Sequence, residues 1–275
     1  MSNELKISVI GAGALGGAVV EGLRRRDVDV TVFDTNPERQ SAMADLGATV
    51  TETVSQAIEE ADLIFWALKP HLILPAIREQ APLLSDRFCC SLAACVDLAL
   101  LDQAAPDARW ARAMTNICAG VCRAFTGYAV TEGVSEDDRA LLEESLTHLG
   151  LVRSMAEADL DGIIGVAGSG PAYVFTVLEA FIQGGLASGL RADVSLEAAA
   201  MTLIGSAELV LQGGEHPAVY KDRVCTPAGT TIEALRVIEA GGLRTALIDG
   251  VVTACERGRT GAQALRHRLQ EDSSR

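Results

Sequence analysis

The rhythm of apolar and polar positions changes part-way along the chain. In the first half, short apolar runs alternate with stretches of helical spacing. The runs Leu5–Ile10, Val28–Phe33, Ala48–Val50, Asp62–Ala67, Phe88–Ala93, Arg109–Met114, Gly127–Thr131 and Leu151–Ser154 predict strands. Helical spacing predicts helices over Ala14–Arg25, Pro37–Leu46, Val54–Glu60, His71–Gln80 and Glu136–Leu149. Strands alternating with helices imply βαβ units and a mostly parallel sheet. Past about Met155 the strand signals stop. Long helical patterns follow over Gly170–Gly189, Ser195–Gln212, Thr231–Glu239 and Leu243–Leu265, with breaks at Gly213-Gly214 and Gly241-Gly242. The predicted architecture is therefore α/β. A Rossmann-type doubly wound sheet over residues 1–156 precedes an all-helical domain over residues 157–275.

The late helices are rich in Ala and Gly, and so apolar that they need cover on several sides. That predicts a homo-oligomer with the helical half as interface. The uncharged stretch Gly162–Leu178 is slightly short for a bilayer and is interrupted by Gly168-Ser169-Gly170-Pro171. With Asp159, Asp161 and Glu179 flanking it, it reads as a buried helix rather than a span.

Composition narrows the function classes. The 275 residues are 49% hydrophobic and 22% charged, as in a globular protein of about two domains. A net charge of −14 disfavours nucleic acid and anionic membrane as partners. The seven cysteines are odd in number and form no CxxC pair, so neither a disulfide framework nor a metal site is expected. Met1–Lys6 carries an acid and runs straight into a strand, unlike a signal or transit peptide. A cytoplasmic location is the expectation.

The first candidate chemistry lies between the first strand and the first helix, at Gly11-Ala12-Gly13-Ala14-Leu15-Gly16. A bare GxGxxG is a weak motif, but a strand–turn–helix context is what a dinucleotide requires. Gly11 permits the tight turn, Gly13 lets the backbone approach a pyrophosphate, and Gly16 lets helix and strand pack closely. The helix N-terminus offers free N–H groups and a favourable dipole. Asp34 ends the second strand, where an acid can accept hydrogen bonds from ribose hydroxyls and repel a 2′-phosphate. NADH is therefore favoured over NADPH within an NAD(P)H requirement, with Arg39 as a residue able to rescue NADP binding.

Further segments occur in order: Ala67-Leu68-Lys69-Pro70, Arg112-Ala113-Met114-Thr115-Asn116, Gly168-Ser169-Gly170-Pro171-Ala172-Tyr173, His216-Pro217, Thr226-Pro227-Ala228-Gly229-Thr230-Thr231 and Glu239-Ala240-Gly241-Gly242-Leu243-Arg244. In these the chain resembles the pyrroline-5-carboxylate reductases, over nearly its whole length. Two departures stand out. Cys118 occupies a position where the family usually has proline, and Ala228 one where it usually has glycine.

Thr230 and Glu233 have the spacing of a capping box, so a capped helix start is the local reading of the late loop. The resemblance implies more. Ala228, Gly229, Thr230 and Thr231 would hold the carboxylate of a small cyclic imino acid on spare backbone N–H groups. Thr231 would be catalytic, hydrogen-bonding the ring nitrogen of 1-pyrroline-5-carboxylate. Lys69 follows a strand at the ligand-binding edge of the sheet. Ala67, Lys69, Pro70, Ala93 and Asn116 are expected cofactor contacts. The reaction implied is hydride transfer from NAD(P)H to a C=N carbon, with no obvious acid–base dyad in the sequence. His71 and His216 read as structural or solvated, Ser169 as a cap for the helix that Pro171 begins, and Cys118 and Cys122 as packing residues. Two alternatives remain open: a reductase of a neighbouring imino acid (pyrroline-2-carboxylate or a piperideine carboxylate), and a dinucleotide-binding protein without catalysis.

Overall fold

The computed structural model describes residues 5–273, with side chains described as far as Arg266. The chain runs β1 (Lys6–Ile10), α1 (Ala14–Arg24), β2 (Asp29–Phe33), α2 (Pro37–Asp45), β3 (Thr49–Val50), α3 (Val54–Ile58), β4 (Leu63–Trp66), α4 (Pro70–Gln80), β5 (Phe88–Ser91), α5 (Leu98–Ala104), β6 (Arg109–Met114), β7 (Ala124–Val130), α6 (Glu136–Thr147) and β8 (Gly150–Ser154). It continues helical through α7 (Glu157–Ile163), a π-helical turn (Ile164–Gly168), α8 (Gly170–Ala187), α9 (Ala192–Gly213), α10 (Pro217–Val224), α11 (Thr230–Ala240) and α12 (Leu243–Ser273).

The strands form one sheet in the order β3-β2-β1-β4-β5-β6-β7-β8. Every neighbouring pair is parallel except β6–β7. Connections run outward in opposite directions from β1 and β4. This makes the carboxyl ends of those two strands the switch point where such sheets bind ligands. Period-two alternation explains the core. Ile7, Val9 and Phe65 lie in one buried cluster with Val19 and Leu23 of α1. Their neighbours Ile10, Ile64 and Trp66 lie in a second cluster with Ile73 and Ile77 of α4. β4 is buried at all four positions and lacks the polar alternation of an edge strand.

The chain divides into two compact units. One runs to Ser169 and resumes at Thr253; the other is Gly170–Val252. α12 thus begins in the second unit and ends in the first. Its later half is built into the first unit by close contacts. A Cβ on Gly258 would lie 2.9 Å from Ile164 Cδ1, and one on Gly261 would lie 3.1 Å from Cys95 Sγ. Arg266 Nε donates to the buried carboxylate of Asp97, which also caps α5 through Leu100 N–H at 2.8 Å.

In the second unit α8 meets α9 at Gly185, where a Cβ would fall 2.0 Å from Ser195 Oγ. Ser195 in turn donates to the Ile182 carbonyl at 2.9 Å. Across α8–α11, Ser195 and Ala199 are the only buried residues. Val174, Phe175, Phe181, Met201, Ile204 and Leu209 are exposed. Gly162–Leu178, expected as a buried helix, is mostly uncovered within one chain: the stretch Glu157–Ala187 has 17% of its most apolar window buried. Both that stretch and α9 have the length and apolarity to cross a membrane.

α5, α7 and α10 have no counterpart in the periodicity reading, because each is eight residues or shorter. So short a segment carries few turns in which to show a 3.6-residue period, although the five-residue α3 did show one. Two of the three caps are nonetheless written locally: Asp97 accepts from Leu100 N–H, and His216 precedes Pro217 at the first helical position.

Candidate functional site

The first candidate site is the turn joining β1 to α1. Gly11 has φ +99, and its N–H donates to the Phe33 carbonyl at 2.8 Å, tying the turn to the end of β2. A Cβ there would lie 2.9 Å from the Ala67 carbonyl oxygen. Gly16 is tighter still, since a Cβ would fall 1.9 Å from the Gly11 carbonyl oxygen and 3.0 Å from Ala67 Cβ. Gly13 differs from both. Nothing lies within 4 Å of where its Cβ would be, and it caps α1 with no side-chain partner. Gly11 and Gly16 are therefore glycines because protein crowds them. Gly13 faces open space at an uncapped helix N-terminus, the room a pyrophosphate needs. Ala12 is buried, Leu15 half-buried and Ala14 exposed on the first helical turn.

Asp34 is only 6% exposed. Its Oδ2 accepts the Ala12 N–H at 2.7 Å, and its Oδ1 accepts the Asn36 N–H at 2.8 Å. The Arg39 guanidinium stands 3.5 Å from Oδ2. The acid expected at the ribose thus also braces the glycine turn against the start of α2. The Ala12 N–H is spent inside the protein, leaving the later N–H groups of the turn for a ligand.

The strand ends line up as the topology dictates. Ala67, just past β4, forms the back of the glycine turn through the contacts to Gly11 and Gly16. Lys69 is exposed in the N-cap position of α4, and Pro70 opens that helix. Ala93 is buried just past β5, its N–H 3.3 Å from Ser91 Oγ. Asn116, past β6, is engaged at both ends of its amide. Nδ2 donates to the Ala167 carbonyl at 2.8 Å, and Oδ1 accepts the Cys118 N–H at 2.8 Å. Its side chain holds the π-helical turn against the sheet, so what it offers a cofactor is position rather than a free amide. The second of these bonds requires an N–H that proline lacks, so Cys118 supplies a donor which the family's usual residue would remove.

Two residues that periodicity passed over belong to this framework. Arg112 is 2% exposed and pairs with Asp161 at 2.6 Å and Glu157 at 3.5 Å, fixing α7 to β6. Cys95 holds φ +65 with its Sγ 3.3 Å from the Gly258 carbonyl. Neither has a local sequence signal, because each partner lies more than forty residues away.

In the second unit, the late loop reaches α11 through Ala228 at φ +57. The N-cap of α11 is Gly229, and no side chain caps the helix. This corrects the capping-box expectation: Thr230 is already the first helical residue, and Glu233 pairs with Arg236 at 3.1 Å instead. Thr230 is exposed and Thr231 half-buried. The Gly229 N–H donates to the Thr226 carbonyl at 3.0 Å, so it is not spare as expected, and the donors the helix start can offer begin at Thr230. His216 Nδ1 accepts the Ala218 N–H at 3.2 Å and so caps α10, while His71 is exposed on α4. Ser169, expected to cap a helix start, instead closes the π turn inside one helical stretch, Glu157–Ala187, its N–H donating to the Ile164 carbonyl at 2.7 Å.

Comparison with known proteins bears on the same residues. A family described as pyrroline-5-carboxylate reductase dimerisation matches residues 157–260. Another, described as NADP oxidoreductase, coenzyme F420-dependent, matches residues 6–94. The Escherichia coli K12 pyrroline-5-carboxylate reductase is 34% identical over 261 residues, covering 92% of this chain and 97% of that protein. The chain belongs to the pyrroline-5-carboxylate reductase family. The pea enzyme is 31% identical over 94% of this chain and 97% of its own length. Among solved structures, the Coxiella burnetii pyrroline-5-carboxylate reductase superposes with a TM-score of 0.82 at 28% identity. It covers 94% of this chain and 99% of that one. The Plasmodium falciparum pyrroline carboxylate reductase with NADP bound superposes with a TM-score of 0.86 at 21% identity, covering 95% of this chain and 99% of that one, and speaks to the fold. As a member of this family the chain binds a nicotinamide dinucleotide on its N-terminal unit and self-associates through its helical half.

Proposed function

We propose that this chain is a pyrroline-5-carboxylate reductase, a cytoplasmic NAD(P)H-dependent oxidoreductase that reduces the C=N bond of 1-pyrroline-5-carboxylate to give L-proline. The observation that carries the reading is the late loop. In a chain related to these enzymes along more than nine-tenths of its length, a helix without a side-chain cap begins at Thr230, two residues after the left-handed Ala228. Unpaired N–H groups there suit the carboxylate of a small imino acid, despite the acidic surface. Thr231, one residue into the helix, carries the hydroxyl assigned to the ring nitrogen.

The bound reduced nicotinamide supplies the hydride. The chain's own residues do the remaining work. Gly13, Ala14 and Leu15 present N–H groups to the pyrophosphate, and Asp34 meets the ribose. Ala67, Lys69, Pro70 and Ala93 line the strand ends beside it, and Asn116 keeps the segment before Gly168 in place. Thr231 orients the ring nitrogen, and the loop from Ala228 to Thr230 seats the carboxylate, with the Gly229 N–H held by the Thr226 carbonyl rather than free for it. Orientation of this kind lowers the barrier without a charged acid, because an imine can arrive already protonated. NADH is favoured over NADPH through Asp34.

The deciding assay follows NADH and NADPH oxidation with and without the imine. Imine-dependent oxidation is expected. Thr231→Ala should lower kcat at least about tenfold while NADH affinity stays within about twofold. Unchanged turnover in that variant would remove Thr231 from its role. Ala228 motivates a second reading, a neighbouring cyclic imino acid as substrate, because its methyl group stands where the family usually has none. Side-by-side kcat/KM values for pyrroline-5-carboxylate, pyrroline-2-carboxylate and a piperideine carboxylate separate the two. Binding of NADH with no imine reduced would instead leave a non-catalytic dinucleotide-binding protein.

A further inference from the structure

The arm that carries the late loop is held at one point. α10 ends at Val224, and Cys225 caps it with its N–H on the Asp222 carbonyl at 3.1 Å. The turn over residues 226–229 follows with no spacer. Neither α10 nor α11 has a buried residue. α9, by contrast, is seated on α8 through Ser195. Of the eight residues of α10, Tyr220 alone is partly shielded from solvent. A buried apolar face therefore does not place α10, and the contacts of Tyr220 do.

Tyr220 lies on the last residue of α9. A Cβ on Gly213 would fall 1.8 Å from Tyr220 Oη and 3.1 Å from Cζ, so the phenol fills the space a side chain there would take. Helix propensity gives no reason for glycine at that position, since alanine is the better helical residue. The left-handed stop of α9 is already supplied by Gly214 at φ +67. Gly213 makes room for Tyr220. Arg223, three residues further along α10, sets its guanidinium over the same ring, with Cζ 5.4 Å from the centroid. That guanidinium meets Glu215 in a fork, Nη1 to Oε2 at 2.5 Å and Nη2 to Oε1 at 2.7 Å. Glu215 stands in the turn between α9 and α10, next to His216, which caps α10. An exposed ion pair contributes little alone. Here it holds a guanidinium on a ring that is itself lodged against backbone. Gly213, Glu215, Tyr220 and Arg223 close a clip across the α9–α10 turn.

We propose that Tyr220 is a positioning residue for the substrate loop. Lodged on Gly213 and covered by Arg223, it fixes α10 on α9, and α10 fixes where residues 226–231 meet the imine. It acts through that loop rather than on the reacting atoms. The inference rests on the reading of the late loop as the seat of the imino acid.

The test compares steady-state kinetics with 1-pyrroline-5-carboxylate and equilibrium NADH binding. It uses the wild type, Tyr220→Ala, Tyr220→Phe, Gly213→Ala and the double variant Gly213→Ala with Tyr220→Phe, each checked for the wild-type elution volume in size-exclusion chromatography. Tyr220→Ala should lower kcat/KM for the imine at least about tenfold, mostly through KM, and leave NADH affinity within about twofold. Tyr220→Phe keeps the ring under Arg223 and should stay within about threefold of the wild type. Gly213→Ala drives a methyl group into the phenol oxygen and should match the loss in Tyr220→Ala. The double variant removes that oxygen and should recover most of the loss, a coupling that two independent sites do not show. This second pair decides the matter if Tyr220→Ala does not fold. Unchanged kcat/KM in Tyr220→Ala overturns the proposal. So does a parallel loss of NADH affinity, and so does a defect in Gly213→Ala that Tyr220→Phe leaves in place. A wild type that reduces no imine refutes the assigned reaction and this inference with it, whereas a wild type that reduces the imine no better than Tyr220→Ala and Gly213→Ala refutes the inference alone.

Discussion

Ala228 and Asp34 show how much one side chain can decide. Ala228 sits at φ +57, a conformation that costs an L-residue with a Cβ roughly 1–2 kcal/mol and glycine almost nothing. Ala228→Gly should therefore raise stability by about 1 kcal/mol, less whatever glycine's freedom in the unfolded chain takes back. A urea titration measures it, and a lower midpoint would mean that the loop draws support from the methyl group. Asp34→Ser should shift the ratio of kcat/KM toward NADPH. Because Asp34 also holds the Ala12 and Asn36 N–H groups, the variant should weaken NADH binding in absolute terms. A ratio that does not move would remove Asp34 as the source of the preference.

Close approach between elements explains the glycines and one buried charge. α1 lies against the short turn Ile117–Val121, and a Cβ on Gly22 would fall 2.2 Å from the Ala119 carbonyl oxygen. Gly22→Ala should destabilise the first unit by about 1–3 kcal/mol, because neither backbone can yield without moving its element. A denaturation midpoint equal to the wild type would show that the approach is looser than it stands. Arg112, buried between Asp161 and Glu157, joins β6 to α7. Arg112→Ala leaves the half-buried Asp161 carboxylate without its counter-charge and should cost about 1.5–3 kcal/mol in chemical denaturation. A loss under about 1 kcal/mol would show that solvent already screens the pair. Cys89 and Cys90 lie fully inside β5, where burial pushes the Cys89 thiol up to about 12 and the Cys90 thiol higher still. Both stay protonated at neutral pH, in keeping with a packing role.

The assembled protein explains why the helical unit is so apolar outside. Phe175, Ile204 and their neighbours are exposed in the single chain, and residues 157–260 match a dimerisation family. The helices long enough to cross a membrane lie within or largely within that stretch, so a partner subunit is the cover they call for. Phe175→Glu with Ile204→Glu should convert the protein to a monomer in size-exclusion chromatography and abolish turnover. An unchanged elution volume would place the interface elsewhere on this unit.

The alternation of apolar runs was enough to read the sheet, its order of elements and the strand–turn–helix at the glycines, since strand period, helix period and the Gly11–Gly16 spacing are all local. Most strand and helix limits came within two residues, and those that shifted further, such as β7 beginning at Ala124 rather than Gly127, carry no strong alternation. The resemblance also marked Ala228 and Cys118 as departures, without saying what they do. Tertiary structure alone decided that Ala228 is left-handed, that the Cys118 N–H turns Asn116 into a clamp on Ala167, and that α12 leaves the helical unit to meet Asp97. It also placed the cap of α11 at Gly229, one residue before the Thr230–Glu233 spacing predicted. The physical reason is common to all of these. Backbone dihedrals and partners distant in sequence are set by packing, and no window of neighbouring residues records them. Asp34 is the sharpest case: its place at the end of β2 is written in the sequence, but only the fold shows that Ala12, Asn36 and Arg39 already share its charge.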